Sequence, residues 1–93
     1  MTVIFTDRKV VKNILKLSPK HQEQVRKKIL DLADNPIPLD SFLLKDYAPY
    51  RRCDCGEYRI IYFFDVNKDA VIVRLVGKRN GGEVYKRFKN MDA

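Results

Sequence analysis

Hydrophobic and polar positions change period midway along the chain. Thr2-Val3-Ile4-Phe5 is a short β-type run that ends at Thr6-Asp7, residues suited to cap a helix. From there Val10, Val11, Ile14 and Leu15 recur at helical spacing, with Lys9, Lys12 and Lys16 on the opposite side. Ser18-Pro19 restarts the helix, because Ser caps and Pro suits the first helical position. The second helix carries Val25, Ile29, Leu32 and Ala33 on one stripe and His21, Glu23, Arg26, Lys27 and Asp31 on its other face. Asn35-Pro36-Ile37-Pro38 stops it. Two helices meeting at one short turn predict an antiparallel helical hairpin.

The second half reads as β structure. After a loop from Leu39 to Ala48 come three strand-like segments: Tyr50 to Cys55, Tyr58 to Val66, and Ala70 to Val76. Gly56-Glu57 and Asn67-Lys68-Asp69 are turn material, so the three predict an antiparallel meander. The nearly continuous apolar runs Ile60-Ile61-Tyr62-Phe63-Phe64 and Val71-Ile72-Val73 suit strands covered on both faces. Gly82 to Lys89 predicts a short C-terminal helix. The expected fold is therefore α+β: an N-terminal strand, a helical hairpin, a three-stranded antiparallel meander and a short C-terminal helix, with the helices on one sheet face.

Length adds one constraint, since 93 residues make one compact domain, 1–93. A domain this small buries only about 60–65% of its unfolded surface and needs a well-patterned core. The 45% hydrophobic content, with five Phe and five Tyr, supplies it. No apolar run approaches the roughly 18 residues of a membrane span. The charged Asp7-Arg8-Lys9 interrupts any signal-peptide layout. The expectation is a soluble, cytoplasmic protein without a membrane partner.

Charge changes the picture more. Nineteen Lys and Arg against twelve Asp and Glu give +7 and a pI near 9.6, which points to a polyanionic partner, nucleic acid or an acidic protein. Cys53 and Cys55 form a C-x-C whose thiols share a face at strand spacing. A disulfide between such near neighbours is strained, and two cysteines with a distant His21 do not make a zinc site. They read as reduced cysteines, with no metal and no cofactor expected.

Basic residues concentrate in the second half: Arg51, Arg52, Arg59, Arg74, Lys78, Arg79, Lys86, Arg87 and Lys89. From Arg74 to Lys89 six cations face one acid, Glu83, for a net +5. Arg59 stands inside Tyr58-Arg59-Ile60-Ile61-Tyr62, a strand otherwise fit for burial, so its guanidinium must pair or face an open site. Taken alone, it pairs equally well with Asp65 or Glu57 as a structural ion pair. Arg79 follows the end of the third meander strand. Antiparallel pairing brings the start of one strand beside the end of the next, so Arg59 and Arg79 converge at one sheet edge with Arg52 nearby. Converging guanidinium groups repel one another unless an anion lies between them, and phosphate is the natural occupant.

Tyr58-Arg59-Ile60-Ile61-Tyr62, then Val76-Gly77-Lys78-Arg79, then Glu83-Val84-Tyr85 resembles the signature of RelE toxins in the wider RelE/ParE superfamily. The similarity covers almost the whole chain, including the helical hairpin. It implies a ribonuclease that enters the ribosomal A site and cleaves the messenger without a metal. It also implies a cognate antitoxin that neutralises the toxin and joins it in repressing the operon, so that operator DNA is met only through that complex.

Metal-free cleavage needs a base for the 2′-hydroxyl proton, cations for the developing phosphorane charge and an acid for the leaving 5′-oxygen. The resemblance assigns the phosphate clamp to Arg59 and Arg79, with Arg79 near the leaving group. Tyr85 matches the family's active-site tyrosine. Adjacent guanidinium groups would favour its phenolate; alternatively it stacks on a base of the messenger. Typical members carry lysines on the strand before the Tyr-Arg motif. Here Tyr50, Arg51 and Arg52 stand there, with Arg52 the nearest match and Tyr50 on its strand face. Arginine holds its proton too firmly to serve as an easy base. Arg51, Tyr50, Arg74, Lys78, Lys86, Arg87 and Lys89 complete the expected RNA-binding surface.

Two other functions compete. ParE toxins share the fold and poison DNA gyrase by contact, and generally lack the arginine and tyrosine constellation. A catalytically inactive corepressor would use the basic face for binding alone. In every case an antitoxin should supply an acidic amphipathic segment that covers apolar sheet or helix surface and crowds the basic site.

Overall fold

The computed structural model describes residues 1–79 and 86–89. Its elements are β1 (Thr2–Phe5), α1 (Arg8–Leu15), α2 (Pro19–Asp34), β2 (Ser41–Leu43), β3 (Arg51–Cys55), β4 (Tyr58–Asp65) and β5 (Ala70–Lys78). One helical turn follows at residues 86–89. The sheet has five strands in the order β1-β5-β4-β3-β2. The predicted meander is present as β3-β4-β5, antiparallel throughout. Two strands extend it. β1 pairs with β5 in parallel, and β2 pairs antiparallel with β3 inside the segment expected to be loop. Three residues are too few to carry a strand period, which is why Ser41-Phe42-Leu43 gave no signal.

Local chemistry sets both helix starts. The Asp7 carboxylate accepts from the backbone N–H of Lys9 and Val10, and the Ser18 hydroxyl accepts from that of His21 with Pro19 in the first turn. Asn35 closes α2. On α1 the inward stripe is rotated from the expected one. Val10 is buried and Ile14 and Leu17 pack against the core, while Val11 and Leu15 are exposed. On α2 the expected stripe holds, with Val25, Ile29 and Leu32 buried. His21 departs from its expected polar face: its ring stands edge-on to Tyr58, with centroids 5.0 Å apart.

The sheet therefore has two unlike faces. The helix-side face buries Cys53, Cys55, Tyr58, Ile60, Tyr62, Val71, Val73 and Val76 against both helices. The Tyr62 hydroxyl, carried into this core, donates to the Pro36 carbonyl at 2.8 Å. On the opposite face Ile61 and Leu75 lie under Leu44, Phe88, Tyr47 and Tyr50. Between the Ile61–Leu75 and Tyr62–Val73 pairs β5 carries one extra residue, Arg74, a bulge in the middle of the sheet.

Both cysteines are free and buried. Burial pushes the Cys53 thiol from 9.0 up to about 12. Because the folded pKa is raised, the thiol's contribution is intact below the unfolded value and is lost as pH climbs from 9 towards 12. Over that window the unfolded chain releases a proton that the fold retains, a slope of up to roughly 1.4 kcal/mol per pH unit. Urea unfolding of wild type and Cys53→Ala across this range measures it. The variant is expected to show the shallower decline, and equal slopes would rule the thiol out as the source.

Candidate functional site

The hairpin between β3 and β4 builds the site. Cys55 pairs with Tyr58, leaving Gly56-Glu57 as a two-residue turn, and Gly56 takes φ +59 as the first residue of a II′-type turn requires. That turn sets the register, which places Asp54 opposite Arg59 and Arg59 opposite Gly77. The Arg79 N–H donates to the Glu57 carbonyl at 3.1 Å, carrying the ladder one step beyond β5. Arg79 is thereby held beside the hairpin end.

Arg59 and Arg79 meet there, and Asp54 lies between them. Arg59 Nε donates to Asp54 Oδ1 at 2.7 Å, and Arg79 Nη1 donates to Asp54 Oδ2 at 3.2 Å. Side-chain exposure is 16% for Arg59, 48% for Arg79 and 38% for Asp54, so the group opens to solvent through Arg79 and the carboxylate. The hydrogen bond from Arg59, with the charges of both arginines, holds the Asp54 carboxyl below its usual range. It stays ionised throughout neutral pH. The ion pairs foreseen for Arg59 with Asp65 or Glu57 give way to this one. Asp54 is a residue that sequence reasoning missed.

The remaining basic residues divide among separate places. Arg52 shares the sheet face of Asp54 and Arg59 and lies over the Phe42 ring, 4.9 Å from its centroid. It lines an open groove of about 570 Å³ together with Lys45, Asp46, Tyr47, Phe88 and Lys89. Lys45 was not foreseen as part of a basic surface. Tyr50, on the same face, packs edge-on against Phe63 and Phe88, so it serves the core. Arg51 points to the helix side, where it donates to the Ser41 hydroxyl and carbonyl. Arg74 sits in the bulge, half-buried with its Nε enclosed. Lys78 and Arg87 line a cleft beside Asn13 in the last turn of α1 and Leu17 in the connection to α2. Lys86 is exposed. Tyr85 and the first half of the expected C-terminal helix lie outside the described residues. Among the described residues no group of three or more His, Cys, Asp or Glu side chains is placed to hold a metal ion.

This geometry offers a fixed pair of guanidinium donors aimed at one anion, flanked by a cationic groove with aromatic walls. Paired guanidinium donors of this kind are chemically suited to a phosphate and to negative charge building on it.

The family model for the ParE toxin of type II toxin–antitoxin systems, parDE, matches residues 6–80. The chain belongs to this toxin family, within the RelE/ParE superfamily. Solved structures of RelE toxins share the toxin's fold over nearly its whole length. A doubly substituted Escherichia coli RelE in the free state is 25% identical, covering 99% of this chain and 97% of that one, with a TM-score of 0.77. The isolated E. coli RelE toxin is 24% identical over 99% and 98% of the two chains, with a TM-score of 0.74. The toxin–antitoxin complex RelBE2 from Mycobacterium tuberculosis is 26% identical over 84% and 96%, with a TM-score of 0.72. No curated protein matches the sequence significantly. No described helix is long and apolar enough to cross a membrane.

Proposed function

We propose that the toxin is a metal-independent endoribonuclease that cleaves messenger RNA in the ribosomal A site and so inhibits translation. The observation that carries this reading is the convergence of Arg59 and Arg79 on one anion at the hairpin end. The scissile phosphate would take the place between the two guanidinium groups. The 2′-hydroxyl gives up its proton and attacks phosphorus, and the P–O5′ bond breaks to leave a 2′,3′-cyclic phosphate. The departing 5′-oxygen takes a proton from water, and the paired donors offset the charge that builds between these events. Arg79, the more exposed of the pair, is assigned to the leaving-group side, as the resemblance to RelE toxins implies. Tyr85 follows six residues after Arg79 in the chain and is assigned the proton at the 2′-hydroxyl, or a stacking contact with a base. Arg52 joins as an RNA contact from the groove rather than as a proton carrier, since its guanidinium does not deprotonate.

The partner in neutralisation is an antitoxin. RelE-type relatives are solved in complex with RelB antitoxins, and the surface here suits such a partner. A largely apolar groove of about 230 Å³ runs between β1 and the helices, lined by Val3, Phe5, Ile14, Val25, Ile29 and Leu30 with Arg26 among them. The apolar side of an amphipathic segment fits there, and a separate acidic stretch of the antitoxin would meet the basic hairpin end on the opposite sheet face. Operator DNA would be met through that complex, and the site of action would be the cytoplasm.

Gyrase poisoning is the second reading, favoured by the ParE family model that spans residues 6–80. Purified toxin added in parallel to a reconstituted translation reaction and a gyrase supercoiling reaction separates the two. Loss of translation with supercoiling intact supports the ribonuclease, and the reverse overturns it. Tyr85→Phe refines the assignment. It is expected to lower the cleavage rate by about 10²-fold or more while leaving RNA affinity within a few-fold, if Tyr85 handles the proton. A parallel loss of affinity would assign it to base stacking instead.

A further inference from the structure

We propose that Asp54 is an exchangeable occupant of the arginine pair, a built-in anion that the substrate phosphate must displace. The inference rests on the phosphate-clamp reading above and concerns what fills the clamp in the free toxin. One carboxylate oxygen takes Arg59 and the other takes Arg79, the division that two oxygens of a bound phosphodiester would make. The carboxylate therefore stands where the ligand would stand. It is also free to leave. Asp54 is on a strand but its side chain is 38% exposed, so a rotation about its own torsions carries it to solvent without moving the backbone. The Arg79–Asp54 pair, exposed on both sides, contributes little to stability, while the largely buried Arg59 requires that the phosphate take over its pairing as the carboxylate leaves.

The exchange has a consequence for substrate choice. A single phosphodiester carries one negative charge, as does Asp54, so replacing one with the other leaves the charge of the clamp unchanged. Little net attraction remains for an isolated phosphate or a very short fragment. A longer strand gains from further contacts, and the groove bearing Arg52, Lys45 and Lys89 on the same side supplies them. Asp54 thus makes engagement of the clamp conditional on RNA that is already held along its length. The toxin discriminates by extent of contact rather than by phosphate affinity.

Fluorescence anisotropy with a 2′-O-methyl oligouridylate, which offers no free 2′-hydroxyl and is not cut, tests this on the full chain. Asp54→Asn is expected to bind roughly fivefold more tightly than wild type, the size of one exposed ion pair. Asp54→Ser should behave alike, and urea unfolding verifies that both variants fold. Asp31→Asn, which removes an equal charge from the exposed face of α2, should leave affinity nearly unchanged. Arg79→Ala should weaken binding and diminish the gain from Asp54→Asn. Unchanged or weaker binding by both Asp54 variants, with Arg79→Ala still deleterious, would overturn the displacement role and make Asp54 an orienting partner. An equal gain from Asp31→Asn would reduce the effect to net charge and overturn it too. If Arg79→Ala leaves affinity untouched, the clamp reading itself fails.

Discussion

Arg79→Ala is expected to lower single-turnover cleavage on the ribosome by about 10²–10³-fold, the usual loss on removing one donor from a charge-stabilising pair. The fold should survive it. The side chain is 48% exposed, and its contact within the clamp is an exposed ion pair to Asp54. Such pairs contribute about 0–1 kcal/mol, so the urea midpoint should barely move. The backbone bond from Arg79 to Glu57 does not depend on the side chain and keeps residue 79 in register. Arg79→Lys retains the charge without the planar fork and should recover only part of the rate. Full activity in Arg79→Ala would mean that the charge of the reacting phosphate is borne elsewhere.

Phe88→Ala is expected to cost roughly 3–5 kcal/mol of stability, the range for truncating a buried aromatic side chain. Phe88 is 1% exposed and meets Tyr47 and Tyr50 edge-on, at centroid distances of 5.2 and 5.0 Å. With Leu44, Ile61 and Leu75 it forms the smaller of the two cores. A domain of this size has only about 5–15 kcal/mol in total, so the loss is a large share. There is a functional side as well. Phe88 anchors the helical turn that carries Lys86, Arg87 and Lys89, and it forms a wall of the groove used by Arg52. RNA affinity should therefore fall together with stability, while Phe88→Leu should retain most of both. Chemical denaturation and anisotropy on the same samples measure the two effects, and a loss below about 1 kcal/mol would contradict the packing account.

Elements with a strong period or a clear cap were legible in the chain itself. Asp7, Ser18-Pro19 and Asn35 marked helix ends that the structure reproduces, and three strand-like runs between Tyr50 and Val76, separated by turn residues, announced the meander. α1 was less clear, because Val10, Val11, Ile14 and Leu15 allow two overlapping stripes. Only packing against the sheet selects the one that continues to Leu17. β2 is defined by its pairing with β3 and has no signal of its own.

For the site, the convergence of Arg59 and Arg79 followed from strand order alone. Asp54 was within reach of the same reasoning. A two-residue turn at Gly56-Glu57 makes Cys55 face Tyr58, and counting back one step puts Asp54 opposite Arg59. The dispersal of the other cations was not legible. Arg51 and Arg52 are adjacent in the chain and face opposite sides of the sheet, and the bulge at Arg74 shifts the faces within β5.

Primer extension on a message carried by translating ribosomes tests the central claim most directly, with wild-type toxin set beside the Arg59→Ala/Arg79→Ala double variant. New ends within A-site codons, made by the wild type and absent with the folded double variant, are the predicted result. Intact message at toxin concentrations that arrest growth, or equal cleavage by the double variant, would contradict it.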